Sequence, residues 1–405
     1  MSTSSLPLFG ELPRRAVRPR FALAAKGFRP FFLLASAFAA LIVPMWLLVI
    51  AGVVHPSAYL DATTWHAHEM VFGFAVAVIA GFLLTAVGNW TQRETLVGAP
   101  LLALSALWLV GRLAMFFSGA LPRGVVAAAD LAFLPCVLVA LARPVIAAKN
   151  RRNLVMLGVV AALLAANVVV HLDALGVVPA GSAHHACLVG VDLVVLVITI
   201  IAGRVFPMFT RNATGESSIR SIPSLDVATV VGMVALTLLD VVAPESTFAA
   251  ATAGVVGVLS ASRAMHWGTR HTLRQPLLWI LHAGYAWIPL GLLLRADAHF
   301  DPAVPVSLAT HALTAGAIGS LTLGMMARVA LGHTGRPLIA TKPIAFAFAA
   351  VSAAALLRTI FPIFVPHRYF AALIAAGALW SLAFLLYLLA YAPLLCRARI
   401  DGKPG

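Results

Sequence analysis

The chain has 405 residues, of which 61% are hydrophobic and only 10% charged, against roughly 25% charged in a soluble domain. With a mean hydropathy of +0.98, this composition excludes a soluble enzyme or binding module. The net charge of +14 suggests a nucleic-acid footprint only until the charges are placed: most sit beside apolar runs rather than on one face, which sets nucleic acid aside as a partner.

Residues 1–25 read as a polar, then basic tail without the apolar core and small-residue cleavage site of a signal peptide. A membrane-crossing helix needs about 20 apolar residues. Runs between charged or Pro/Gly punctuation predict twelve, at 30–54, 66–88, 98–118, 124–147, 152–174, 184–208, 223–243, 247–266, 276–295, 303–328, 342–363 and 368–395. The expectation is an all-α, polytopic membrane bundle over 26–395, with a short tail over 396–405 and the lipid bilayer as its surroundings. With the N-terminus placed in the cytoplasm, 23 of the 28 Lys and Arg residues fall on the cytoplasmic side. The positive-inside rule then predicts both ends inside, in a bacterial inner membrane.

Ionisable residues are costly in hydrocarbon and usually face the bundle interior or a cavity. In chain order these are His66, His68 and Glu69 where the second span enters, Arg112 in the third, and Asp130 in the fourth. Asn167 and His171 follow at the end of the fifth span, then His184, His185 and Asp192 in the sixth. His311 lies in the tenth and Arg358 near the end of the eleventh. All of these fall in the outer half of the predicted bilayer, whereas His282 lies toward the inner half. An internal echo links three of the sites: His68-x4-Gly73, His185-x4-Gly190 and His311-x4-Gly316 stand near the outer starts of spans two, six and ten. Three groups of four helices would bring these spans around a common region.

The three cysteines are isolated and no C-x-x-C-H is present, so a covalent c-type haem is excluded and any metal must rely on His, Met and carboxylates. Imidazole suits both haem iron and copper, and a transmembrane haem b needs one His from each of two helices. His68 and His311 are the expected haem ligands. His66, His184 and His185 are the copper candidates, with His171 and His282 in reserve. Because His66 and His68 are two residues apart, about 200° around a regular helix, they cannot both face one centre unless the helix starts between them. Glu69 and Asp192 read as acceptors for histidine N–H groups or as proton carriers. Arg112 and Arg358 would face haem propionates or those carboxylates. His55, His299 and His367 read as surface residues, and Met325-Met326 as core filler. A transporter whose polar residues line a path for a metal ion, an anion or haem is the alternative reading, and a maturation or scaffold protein for another metalloenzyme is a third.

Several ordered stretches resemble the NnrS family. They are Lys26-Gly27-Phe28-Arg29-Pro30-Phe31-Phe32, Trp65-His66-Ala67-His68-Glu69-Met70-Val71-Phe72-Gly73-Phe74, and Gly81-Phe82-Leu83-Leu84-Thr85-Ala86-Val87 leading to Asn89-Trp90-Thr91. Farther on come Gly203-Arg204-Val205-Phe206-Pro207-Met208-Phe209-Thr210, Leu281-His282-Ala283-Gly284-Tyr285, His311-Ala312-Leu313-Thr314-Ala315-Gly316 and Arg328-Val329-Ala330-Leu331-Gly332-His333-Thr334-Gly335-Arg336. Gly88 departs from the proline expected before Asn-Trp-Thr. The resemblance covers roughly 26–395. It implies an inner-membrane protein carrying haem and copper, associated with nitric oxide, denitrification and protection from nitrosative stress. It carries over His66, His68, Glu69, Arg204, His282, His311 and His333. Apart from the resemblance, an electron donor or a partner metalloenzyme is an expected partner. Twelve helices in three groups of four, with histidines on the second, sixth and tenth, are also similar to haem–copper oxidases. The seventh span has no histidine and the sixth lacks His-Pro-Glu-Val-Tyr, so oxygen reduction coupled to proton pumping is not expected.

Overall fold

Apolar runs of this length, in a solvent without hydrogen-bonding partners, have to satisfy their backbone internally as helices. A computed structural model describes residues 21–55 and 59–403; most of the predicted N-terminal tail, with Arg14, Arg15, Arg18 and Arg20, lies outside the described residues. Among those described, twelve helices are long and apolar enough to cross a membrane. They are α1 Phe28–Ile50, α2 Ala62–Thr91, α3 Ala99–Phe116, α4 Arg123–Ala147, α5 Arg151–Ala174, α6 Ser182–Thr214, α7 Pro223–Val242, α8 Thr247–Trp267, α9 Pro276–Phe300, α10 Val306–His333, α11 Lys342–Phe364 and α12 Pro366–Cys396.

All twelve predicted spans are present, and the larger differences lie at polar ends. Helix α2 begins at Ala62 rather than 66 because the Asp61 carboxylate accepts from the backbone N–H of Thr63 and Thr64, both at 3.0 Å, a capping arrangement that starts the helix early. Helix α6 runs on through Arg204 and Arg211 to Thr214. At 1.5 Å per residue it is about 50 Å long, more than the ~30 Å of hydrocarbon, so its charged end projects beyond the apolar layer.

Helices α2, α6 and α10 form the inside of the bundle: 78%, 83% and 72% of their most apolar stretches are buried, against 28% for α1 and α7. The inner helix therefore recurs at every fourth span. Helix α6 contacts both α2 and α10, while α1 packs on α12, α11 on α12, and α9 on α8 and α10. Outward-facing Leu41, Val242, Phe248 and Phe346 leave an apolar exterior. The two ends meet on one face, where the Ala22 N–H donates to the Cys396 carbonyl at 2.7 Å. Arg29 also donates there to the carbonyls of Leu395 and Arg397, at 2.8 and 2.7 Å. We call this the terminal face.

Two inner helices are not regular. Helix α2 widens into a π-helical stretch over Glu69–Ala75, directly after His68. Helix α10 does the same over Ala312–Ile318, directly after His311. Such wide turns occur mostly as single insertions and often at functional sites. The echo in the sequence thus corresponds, in two of its three members, to a shared backbone device; α6 stays α-helical across His185 and Gly190.

Candidate functional site

The two histidines of α2 face different surroundings, as their spacing requires. His68 points into a fully buried polar cluster between α2, α3, α4 and α5. Its Nδ1 donates to Glu69 Oε1 at 3.0 Å, and its Nε2 lies 3.0 Å from Asn167 Oδ1 and 3.3 Å from Asp130 Oδ2. Arg112 donates to Glu69 Oε1 at 2.6 Å and to Asp130 Oδ1. Asn167 Nδ2 donates to Asp130 Oδ2 at 2.7 Å, and His171 Nε2 lies 2.9 Å from the same oxygen. His171 Nδ1 is 2.9 Å from the hydroxyl of Tyr59, which stands before α2; burial pushes that hydroxyl up to about 12, against a smaller downward pull from Arg123, so it is a neutral phenol.

His66 faces the other way, into an apolar cavity of about 370 Å³ near the face opposite the terminal one. His184 of α6, His311 of α10 and Arg358 of α11 line the same cavity, with Trp46 and Trp380 among its walls. The His66 ring stacks on Trp46 with centroids 4.5 Å apart and planes 10° from parallel, and its Nδ1 is buried without a hydrogen-bond partner. His311 Nδ1 donates to the Ser307 carbonyl at 2.7 Å. A carbonyl only accepts, so His311 carries its proton on Nδ1 and keeps the Nε2 lone pair free. One Arg358 nitrogen is likewise buried without a partner, and its guanidinium lies 5.7 Å from the Tyr369 ring centroid. This arrangement fits a large flat group with acidic substituents: imidazoles from separate helices, an uncommitted guanidinium and apolar walls within one volume of ligand size.

The expected pairing of His68 with His311 is therefore not the one brought together; His66 and His311 share a cavity, and both ring nitrogens of His68 face the polar cluster instead. Arg112 and Arg358 also separate, the first onto Glu69 and Asp130, the second into the cavity. His185 turns away from the cavity wall formed by His184, with Nε2 buried and unpartnered. Asp192 pairs with Arg295 of α9 at 3.3 Å, and Arg295 also binds Asp240 of α7. His282 is held from both sides, Nε2 by Thr210 and Nδ1 by Thr269, each at 2.9 Å. Arg204 and His333 line a separate cavity of about 450 Å³ at the terminal face, with Asn89 and Arg152.

Sequence reasoning did not single out Asp130, Asn167 and Tyr59 as partners of one cluster, or Trp46 as the platform under His66. Asp130 and Asn167 carried a signal, being polar residues at matching depth. Tyr59 and Trp46 carried none, because aromatic residues at span ends are common in any membrane protein. Arg295, the last residue of the predicted ninth span, reaches inward to two carboxylates.

No curated protein matches the chain. The family model described as NnrS protein matches residues 22–399, nearly the whole sequence and all twelve helices. The chain thus belongs to the NnrS family.

Proposed function

We propose that this protein handles nitric oxide in the inner membrane of a bacterium, at a haem b held in the cavity between α2, α6 and α10, with copper close by. The observation that carries the reading is the convergence of His66, His184 and His311 with Arg358 on one apolar volume. Family membership supports the association with nitric oxide. The charge bias supports a cytoplasmic terminal face, which puts the cavity in the outer half of the bilayer.

In this reading His66 and His311 hold the haem iron, and Arg358 neutralises its propionates. His184, with neighbouring His185, is the copper candidate. A haem bound there would supply an iron able to coordinate a diatomic gas once one of the two imidazoles gave way. The protein's own contribution is orientation and exclusion. The Ser307 carbonyl fixes the His311 ring through its Nδ1–H, as outer partners of metal-bound histidines generally do. Trp46 fixes the plane of His66, and the apolar walls keep water out while admitting a small apolar gas from the lipid.

Optical spectra of the detergent-purified protein from haem-replete cells, oxidised and dithionite-reduced, with elemental analysis on the same sample, test the proposal. A Soret band with b-type reduced peaks and bound copper is the expected result. Absence of both would overturn it. A second reading, transport of an anion, a metal ion or haem, draws on the terminal-face cavity along the same inner helices. Saturable uptake into proteoliposomes by a haem-free protein would favour it.

A further inference from the structure

The polar cluster around His68 brings two imidazoles and a carboxylate together at its buried centre. Asn167 donates its Nδ2 to Asp130 Oδ2, which fixes the amide so that its oxygen faces His68. His68 donates its Nδ1–H to Glu69, so a neutral ring presents the Nε2 lone pair to that amide oxygen and to Asp130 Oδ2. Three acceptors therefore converge with no donor among them. His171 brings its own Nε2 to within 2.9 Å of the same carboxylate oxygen. The missing element is a cation at that point, either a second ring proton that makes His68 an imidazolium or a metal ion.

We propose that His68, Asp130 and His171 bind one divalent first-row transition-metal ion, through the Nε2 atoms of the two histidines and Oδ2 of Asp130. The three donor atoms lie within 4.8 Å of one another. For metal–ligand bonds of about 2.0–2.1 Å, neighbouring ligand atoms stand about 2.9 Å apart in octahedral and about 3.3 Å apart in tetrahedral geometry. The separations from Asp130 Oδ2 are 2.9 Å to His171 Nε2 and 3.3 Å to His68 Nε2, so two of the three ligand pairs already stand at coordination spacing.

The outer partners match as well. Each histidine is held at Nδ1, His68 by Glu69 and His171 by Tyr59, which directs both Nε2 atoms inward. A carboxylate or hydroxyl behind a ligating imidazole is the usual outer layer of a metal site. Asp130 is oriented by Arg112 on Oδ1 and by Asn167 on Oδ2, and the second lone pair of Oδ2 serves the ion. Two carboxylates face one guanidinium, so the cluster holds one more acid than base and can receive a dication. Two imidazoles and a carboxylate suit borderline ions rather than Ca²⁺ or Mg²⁺. The site does not depend on the proposed haem cavity, since none of its three ligands lines that volume.

The test is titration of the chelator-stripped, detergent-purified full chain with Co²⁺, read by its visible absorption bands. The His66→Ala/His311→Ala double variant, which removes two of the cavity's three imidazoles, is run beside the wild type. One Co²⁺ bound in both, lost in Asp130→Asn and in His171→Gln, is the expected result. Tyr59→Phe keeps every ligand and removes only the hydroxyl behind His171, so its affinity should fall by about 10–100-fold. The Tyr59→Phe result also guards against misreading a misfolded ligand variant. Failure of folded wild type to bind Co²⁺, or binding that Asp130→Asn and Tyr59→Phe leave unchanged, would overturn the proposal. Binding lost only in the double variant would assign the ion to the cavity and overturn it too.

Discussion

Arg112 and Arg358 are both single arginines within apolar helices, and their surroundings set them apart. Arg112 lies between Glu69 and Asp130, so Arg112→Met leaves two buried carboxylates facing each other. Breaking a buried ion pair by removing one partner costs about 3–5 kcal/mol, and the variant should show a clearly lowered melting temperature in detergent. Arg358 has no carboxylate partner among the described contacts and one nitrogen already unpartnered; Arg358→Met should leave the melting temperature nearly unchanged while weakening haem retention. Equal destabilisation by the two substitutions would contradict this assignment. The sequence could not separate these arginines, because partner choice depends on which helices become neighbours. It could separate His66 from His68, since a two-residue offset turns side chains to different sides of any helix.

At the scale of elements, the twelve spans were legible because hydrocarbon demands long apolar runs, and their bounds moved chiefly where a cap or a projecting charged end intervened. The π-helical stretches after His68 and His311 were not legible: an inserted wide turn leaves no signature in apolar content. The echoed glycines mark them indirectly. At Gly316 a Cβ would stand 2.5 Å from ring atoms of Trp287, and at Gly73 it would meet Phe38 at 2.9 Å, so both permit close approach of neighbouring side chains. Gly316→Ala should therefore cost about 1–3 kcal/mol through overpacking. Gly158→Ala in α5, where nothing lies within 4 Å, should be neutral or slightly stabilising, since alanine is the better helix former. Thermal melts of the two variants side by side check the contrast, and a neutral Gly316→Ala would contradict the packing of α9 against α10.

For the whole molecule, three inner helices at every fourth position give a ring in which the histidine-lined cavity opens near one face and the arginine-rich cavity near the other. Cysteine labelling tests how this ring sits in the bilayer. In a background lacking the three native cysteines, Ala180→Cys should react with an impermeant maleimide in cells whose outer membrane has been permeabilised. Ser217→Cys should react only after the inner membrane is opened, and the reverse pattern would contradict the proposed orientation. The repeat of inner helices was foreshadowed by the echo of histidine and glycine; which histidines share a cavity was not, because it depends on the rotation of α2 about its own axis. That rotation is what the central claim rests on, and the Soret band of three purified variants tests it most directly. His66→Ala and His311→Ala should abolish the band while His68→Ala, if folded, retains it. A band lost in His68→Ala and preserved in His66→Ala would place the haem in the polar cluster and contradict the account.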